Sequence, residues 1–124
     1  MRPVVVLLLI AVAACGGRRA RHPPAPADLP SEIALHVINH HWLDVTIYVE
    51  RDGERSRIGL VTAATSQTFI MPGHMVGQSR DIVLVGEAVG SRDMVRTEVL
   101  IIKPGQMIEW TLETDLRRSS VGVY

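Results

Sequence analysis

Apolar and polar residues alternate along most of the chain after residue 31, and this spacing limits the possible folds more than any other feature. The clearest case is residues 43–50, where Leu43, Val45, Ile47 and Val49 alternate with Asp, Thr, Tyr and Glu. Successive side chains of a β-strand point to opposite faces, so this pattern predicts a strand with one buried face. No stretch of the segment shows the three-to-four-residue spacing of an amphipathic helix. Residues 31–124 are therefore predicted to be all-β.

Seven segments carry this pattern, with an eighth at Val121 and Val123, and turn residues separate them. Asp52-Gly53 and Lys103–Gln106 are the strongest turn signals. Short strands with a turn about every dozen residues are typical of sandwiches and small barrels. We expect a small antiparallel β-sandwich of about seven strands, immunoglobulin-like in architecture only, with a small barrel as the second choice. Cys15 is the only cysteine, so the domain must be held by apolar burial and hydrogen bonds without an internal disulfide.

The first residues of the chain form a separate apolar segment. An unbroken apolar run covers Val4–Ala14, and Arg2 precedes it. A helix of this length rises only about 16 Å, roughly half the thickness of the bilayer core. The run is too short to span a membrane, and it suits the core of a signal peptide.

The end of this run carries a specific motif, Val12-Ala13-Ala14-Cys15, followed by Gly16. It resembles the lipobox of bacterial lipoproteins, in which small residues precede an invariant cysteine. The resemblance implies diacylglycerol on the Cys15 sulfur, cleavage before Cys15 and, in most such proteins, a third acyl chain on the new amine. Two or more acyl chains hold a protein firmly on a membrane. The alternative is an ordinary signal peptide in which the cysteine is incidental.

This division of the chain gives three expected segments and a location. They are a signal peptide over residues 1–14, a lipidated cysteine and flexible Pro-rich tether over residues 15–30, and a sandwich domain over residues 31–124. Gly16 stands where many inner-membrane lipoproteins have aspartate. By the same resemblance, the outer membrane facing the periplasm is favoured if the organism is Gram-negative.

Charge and motifs exclude several classes of function. Four of the 13 basic residues and one of the 13 acidic residues precede residue 31, which leaves 9 and 12 and a net charge of about −3 in the domain. A mildly acidic domain is not expected to bind nucleic acid. The lipobox resemblance implies that lipid occupies Cys15, and we find no nucleophile elbow or phosphate-binding glycine loop. We therefore expect no enzymatic activity and no cofactor.

Histidines are the candidate metal ligands. His40 and His41 lie between the first two predicted strands, and His74 follows Pro72-Gly73. Zinc requires three or four ligands in firm geometry, so we expect solvated loop imidazoles and no metal site. The alternative function is a small-ligand or metal carrier that uses the loops of these three histidines.

The two tryptophans have different expected roles. Trp110 shares a predicted strand face with Ile108 and Leu112, which places it in the core. We expect Trp42 to cap the core as well. The alternative for Trp42 is an exposed anchor for a binding partner.

Two predicted strands, residues 82–85 and 99–102, are apolar on both faces, although a sandwich buries only one face of each sheet. Arg96 and Glu98 mark one face of the second strand as outward. The outward patch expected from this consists of Val83, Val85, Leu100 and Ile102. The explanation that we favour is that β-branched residues are common in strands even where they are exposed, or that the tether or the C-terminal tail covers them. The alternative is that the patch contacts an envelope protein. We expect the domain to be a non-enzymatic interaction or structural module of a membrane-anchored lipoprotein.

Replacement of the lipobox cysteine tests the anchor. In a Cys15→Ala chain, we expect lipid attachment and signal removal to fail together, because both depend on that residue in lipoproteins. Metabolic labelling with a radioactive fatty acid and the electrophoretic mobility of the chain measure the two effects. Normal processing of the variant, with the protein free in the periplasm, would show that the signal is of the ordinary type.

Overall fold

The computed structural model describes residues 32–77 and 81–124. Cys15 and the expected signal peptide and tether lie outside the described residues, as does Ser31, the expected start of the domain. Within the described ranges, no helix is long and apolar enough to cross a membrane. These ranges contain nine strands: β1 (Ile33–Asn39), β2 (Val45–Arg51), β3 (Glu54–Val61), β4 (Ser66–Met71), β5 (Asp81–Ala88), β6 (Met94–Arg96), β7 (Leu100–Ile101), β8 (Ile108–Leu112) and β9 (Ser120–Val123). A one-turn helix, α1 (Gly73–Val76), follows β4, and a 3-10 helix at Leu116–Arg118 precedes β9.

The strands form two sheets that pack face to face. One sheet has the order β4-β1-β8-β9, and the other has the order β3-β2-β5-β6, with β7 also paired to β5. Paired strands are antiparallel except for β1 and β8, which run parallel. The predicted all-β sandwich is confirmed. The number of strands is higher than expected because the segment predicted as one strand over residues 95–101 is divided into β6 and β7.

Two turns follow the sequence signals. Asp52 and Gly53 have φ angles of 52° and 77°, so the β2–β3 hairpin turns on two residues with positive φ, as an Asp-Gly pair favours. Gly105 has a φ of 83°, and the Gln106 N–H donates to the carbonyl of Lys103 at 3.1 Å. This is the Pro-Gly turn expected before β8.

Inward residues from both sheets form one continuous core. Trp110 of β8 is 1% exposed, which confirms its predicted place in the core. Its ring reaches across to Gly86 of β5, where an added Cβ would lie 3.3 Å from the ring and 3.2 Å from a methyl of Val45. We expected β5 to end near Gly86, but it continues to Ala88. The glycine leaves room for the indole while the strand remains intact.

The strands β6 and β7 pair with β5 in registers that differ by one residue. Arg96 is opposite Val85, and regular continuation would place Val99 opposite Ile82. Instead, Leu100 is opposite Ile82. One extra residue is therefore inserted between β6 and β7, which is the defining property of a β-bulge.

Thr97 stabilises this bulge through its side chain. Its N–H donates to the carbonyl of Leu84 at 2.9 Å, and its hydroxyl accepts from the Leu84 N–H at 3.0 Å. The same hydroxyl donates to the carbonyl of Glu98 at 2.8 Å. The Thr97 hydroxyl thus takes the place that its own carbonyl would have in a regular ladder. Every side chain after the bulge is moved to the opposite face.

The expected outward patch is wrong because of this inserted residue. Val99 and Ile101, which we expected to face the core, are 62% and 67% exposed. Three members of the expected patch are buried, namely Val85, Leu100 and Ile102. The fourth, Val83, is half-buried.

Val85 is buried for a different reason from that of Leu100 and Ile102. It lies between Tyr48 and Arg96 of the neighbouring strands. The ring of Tyr48 and the long side chain of Arg96 stand on either side of it on the outer face of the sheet. A residue on the outer face is therefore buried without contact with the main core.

Lysine substitutions at two consecutive positions test the bulge. Leu100→Lys should lower the free energy of unfolding by about 3 kcal/mol or more, because it removes a buried apolar side chain and buries a charge. Ile101→Lys is the matched control, and its effect should stay within about 0.5 kcal/mol. Urea unfolding of the two variants measures the difference. Equal effects, or a larger effect at Ile101, would contradict the register described here.

Candidate functional site

The connections between strands lie at two ends of the sandwich. One end holds Ile33, where β1 begins, together with the β2–β3 turn and the turn before β8. The opposite end, which we call the loop end, is formed by residues 40–44, 62–65, 89–93 and 113–119. Because β1 rises about 3.3 Å per residue from Ile33 to Asn39, roughly 20 Å separate the two ends.

Asn39 holds two connections of the loop end together. Its buried side-chain N–H groups donate to the carbonyls of Leu43, Val61 and Thr62 at 3.1–3.3 Å. Its side-chain oxygen accepts from the N–H of His41 at 2.9 Å. A single amide therefore fixes the β1–β2 loop against the end of β3. Such a network of short-range bonds gives the loop one conformation.

Asp44 adds a second tie between the same two connections. Its carboxylate accepts from the backbone N–H of Ala63 at 2.8 Å. The Asp44 carbonyl accepts from the N–H of Val89 at 2.8 Å. This bond joins the β5–β6 connection to the β1–β2 loop. Three connections of the loop end are thus linked by hydrogen bonds to residues 39–44.

His41 lies inside the loop end. We expected a solvated imidazole, and this is wrong, because its side chain is fully buried. Its Nδ1 accepts from the N–H of Leu43 at 3.0 Å, which places the proton of a neutral ring on Nε2. Nε2 is buried and has no hydrogen-bond partner among the described residues. Residues 41–43 form bends, and the bonds from the N–H of His41 to Asn39 and from the N–H of Leu43 to the His41 ring hold the imidazole inside the loop.

Trp42 lies between His41 and Leu43 and points to the solvent. Its side chain is 69% exposed, so the expectation that it caps the core is wrong. Its ring stacks on that of His41, with centroids 5.8 Å apart and planes 20° from parallel. The period-two pattern begins only at Leu43 and residues 41–43 form bends, so the alternation gave no signal for the direction of Trp42. The loop end therefore presents a large aromatic ring on a rigid support.

The three candidate metal ligands do not come together. His40 is exposed at the loop end, and its Nδ1 lies 3.4 Å from a carboxylate oxygen of Glu113. His74 lies in α1, shortly after Met71. Because Met71 pairs with Ile33, His74 is at the end of the sandwich where β1 begins, opposite the loop end. In the ranges 32–77 and 81–124, no three His, Cys, Asp or Glu residues are placed to share a metal ion. The loops of these histidines do not form one site for a carried ligand.

A wide cleft of about 530 Å³ lies at the loop end, between residues 92–94 and residues 114–117. Its charged groups are arranged as neighbouring pairs. Hydrogen bonds from the side chain and backbone of Arg117 hold the pKa of the Asp115 carboxyl below its ordinary value. The lining consists of the polar and charged residues Arg92, Asp93, Thr114, Asp115 and Arg117 together with Met94 and Leu116.

The most connected ion pairs lie on the outer face of the second sheet. The carboxylate of Glu50 accepts from Arg96 at 2.6 Å and from Arg55 at 2.8 Å, and Arg55 also reaches Glu87 at 2.8 Å. Hydrogen bonds from Arg96 and then Arg55 hold the pKa of Glu50 below its ordinary value of 4.5. The guanidinium of Arg55 also lies 5.1 Å from the centre of the Tyr48 ring. Each charge in this cluster has an opposite partner, as in a structural network that joins β2, β3, β5 and β6.

Comparisons with known proteins add distant structural similarity and no family. The chain matches no known protein family and no curated protein. An NMR structure of a protein from Eubacterium rectale aligns with 76% of this chain and 87% of its own, at 16% sequence identity and a TM-score of 0.43. No function follows from a similarity at this level.

The Glu50 cluster predicts a pH dependence of stability. Because the pKa of Glu50 is lowered by folding, its stabilising contribution is complete above about pH 4.5 and is lost as the pH falls through the lowered value. Glu50→Gln should therefore destabilise the domain at pH 7 and have a much smaller effect at the acid end. Urea unfolding midpoints across this range measure the difference, which added salt should also reduce.

Glu109 provides the control for this prediction. It lies on the outer face of the other sheet and makes no ion pair with a described residue. Glu109→Gln should show little change with pH. An effect of Glu50→Gln that is constant from neutral to acid pH would contradict the assignment.

Proposed function

We propose that this chain is a lipid-anchored lipoprotein of the cell envelope whose sandwich binds an envelope protein through Trp42. The observation that carries the binding role is the 69% exposure of Trp42 on a hydrogen-bonded loop. The anchor rests on the lipobox resemblance at Val12–Cys15 and its short apolar run. We propose a non-enzymatic role, consistent with the use of Cys15 for lipid.

The chemistry of tryptophan supports a protein partner. Its side chain offers a large apolar surface together with one N–H donor, and such residues carry a large share of the binding energy in protein interfaces. A ring that remains in water gains nothing from the hydrophobic effect, whereas a partner that covers it recovers that energy. The exposed apolar group is therefore better explained by contact with another molecule than by stability.

The support beneath Trp42 reduces the entropic cost of binding. Asn39 and Asp44 fix the loop on both sides, and the ring of His41 lies under the indole. A side chain that is already ordered loses less conformational freedom when a partner binds. The buried His41 thus supports the position of Trp42 through stacking.

The position of Trp42 also agrees with an anchor at the other end. β1 begins at Ile33, and the loop end is roughly 20 Å away along that strand. Between Cys15 and Ile33 there are residues 16–32, which can span at most about 60 Å when fully extended. This arrangement keeps the partner surface separate from the point where the tether joins the domain. By the lipobox resemblance, Gly16 favours the outer membrane in a Gram-negative organism.

Cross-linking and affinity capture from intact cells test this function. A Trp42→Ala chain should lose its captured partner, with an affinity about 30-fold lower, as for other residues that dominate an interface. The folded domain should remain within about 1 kcal/mol of its normal stability, because the residue is largely exposed.

Ile70→Ala is the matched control, since Ile70 is a 56% exposed apolar residue on the outer face of a sheet. It should leave capture unchanged. Capture that survives Trp42→Ala, or is lost equally in both variants, would exclude Trp42 as the binding residue.

A further inference from the structure

The two sheets have four edges, and three of them are protected. On β3, charged Glu54, Arg55 and Arg57 interrupt the edge, and a register shift bends its pairing with β2. The edge formed by β6 and β7 is short, and the inserted residue near Thr97 breaks it. Charges, bulges and short strands are the usual means of preventing edge-to-edge pairing.

The β4 edge is protected by contact with β3. An added Cβ at Gly59 of β3 would lie 2.5 Å from the ring of Phe69 of β4, so the ring lies directly on this glycine. The edges of the two sheets are therefore in contact on this side of the sandwich.

The β9 edge has none of these features. The segment Ser120–Tyr124 contains no charged side chain and no proline, and its register with β8 is continuous. Met107 and Tyr124 exchange two backbone hydrogen bonds of 2.9 Å, and hydrogen-bonded pairs alternate along an antiparallel ladder. Gly122 and Ser120 therefore bond to β8 as well. The N–H and C=O groups of Val121 and Val123 point away from the sheet.

The side chains beside this edge are incompletely buried. Val121 and Val123 are on the inner face and pack against the core, but both remain half-exposed. A groove of about 340 Å³ lies between Val121 and Val95 of β6. Its lining includes Trp110 and also the polar or charged residues Arg96, Thr97, Glu98, Ser119 and Ser120. The open side of the sandwich thus has free backbone groups beside two half-exposed valines of the inner face.

We propose that β9 pairs with β9 of a second copy of this chain, antiparallel, with Gly122 opposite the partner's Gly122. The sequence of the edge favours this partner, because Val121-Gly122-Val123 is the same when it is read in either direction. A two-fold axis through Gly122 places Val121 opposite the partner's Val123 on the inner face. On the outer face, the two glycines are opposite each other, and the exposed ring of Tyr124, which lies over Gly122 in each copy, would have to turn aside. Only antiparallel pairing gives both copies identical contacts.

The pairing would join the two four-stranded sheets into one. Each of the two Val121–Val123 pairs exchanges two backbone hydrogen bonds, and these bonds use the free groups of the edge. The contact is small for a stable complex in solution. The inference rests on the proposed function in one way: a lipid anchor confines the copies to a membrane and raises their effective concentration, which a small contact needs.

Disulfide cross-linking of the full chain in envelope membranes tests the pairing. Cysteines at directly opposed positions of a narrow antiparallel pair can form a disulfide. Gly122→Cys should give a covalent dimer on mild oxidation. The tip of Tyr124 lies within 2.8 Å of the new Cβ, but this side chain is 70% exposed and free to rotate away.

Thr68→Cys is the matched control, because Thr68 lies in the same row of side chains at the opposite edge of the same sheet. It should give no more dimer than the unsubstituted chain, which also measures any contribution from Cys15. Equal yields at the two positions would overturn the proposal. Recovery of the Gly122→Cys chain in a disulfide with a different protein, instead of a second copy, would also overturn it.

A second pair of variants tests the hydrogen bonds. In the Gly122→Cys chain, Val123→Pro removes an N–H that faces away from β8, together with the valine side chain, and the pairing should weaken about tenfold or more. Val123→Ala keeps this N–H and should have a smaller effect. Thermal unfolding of both variants checks the fold. Equal dimer yields with proline and alanine would contradict strand pairing.

The Cys15→Ala chain separates this inference from the proposed function. If Cys15 carries no lipid, the anchor is wrong. The comparison of Gly122→Cys with Thr68→Cys, made on concentrated protein in solution, still decides whether β9 is a contact between copies.

Discussion

The packing of Trp110 across the space between the sheets is the contact on which the rest of the domain depends. The indole extends from β8 to β5, and it fits there because Gly86 has no side chain. Side chains of Val45 and Val95 from the sheet that contains β5 lie beside the same glycine. With no second cysteine in the chain, apolar burial of this kind and the hydrogen-bond ladders hold the fold. The ring thus joins the two sheets at the centre of the core, and it also lines the groove beside β9.

The period-two pattern was sufficient for the strands and for two of the turns, because both depend on local chemistry. Alternation identified β1, β2 and β8, and Asp52-Gly53 identified the hairpin. It was not sufficient for the outer face near Leu100. A bulge depends on where one hydroxyl, that of Thr97, meets the backbone of another strand, and that meeting involves residues 13 positions apart. The hydrophobic pattern of a single strand contains no information about this contact between two strands.

The loop end shows a second limit of the sequence. Asn39 and His41 belong to a polar segment between two strands, and such segments are usually solvated. Here the carbonyls of Val61 and Thr62 supply partners for Asn39, so its burial becomes favourable. Residues 41–43 form bends and not strand, so the buried position of His41 and the exposed position of Trp42 go with the bonds that Asn39 and His41 make to the loop backbone. The prediction for Trp42 failed because it used hydrophobicity alone, whereas these bonds turn the neighbouring histidine inward.

The two proposed surfaces have a geometric relation that limits how such a protein would act. A two-fold axis through Gly122 is perpendicular to the sheet, so the paired β9 strands run in opposite directions and the two loop ends lie at opposite extremes. Two copies joined in this way would present their Trp42 rings to different neighbours and would connect two partner molecules. The two Ile33 residues would also lie at opposite extremes, while the two anchors share one bilayer. At most about 60 Å of chain joins Cys15 to each Ile33, which is longer than the roughly 20 Å between the ends of one domain, so both anchors can reach the membrane. A much shorter tether would favour an upright domain and would oppose the pairing.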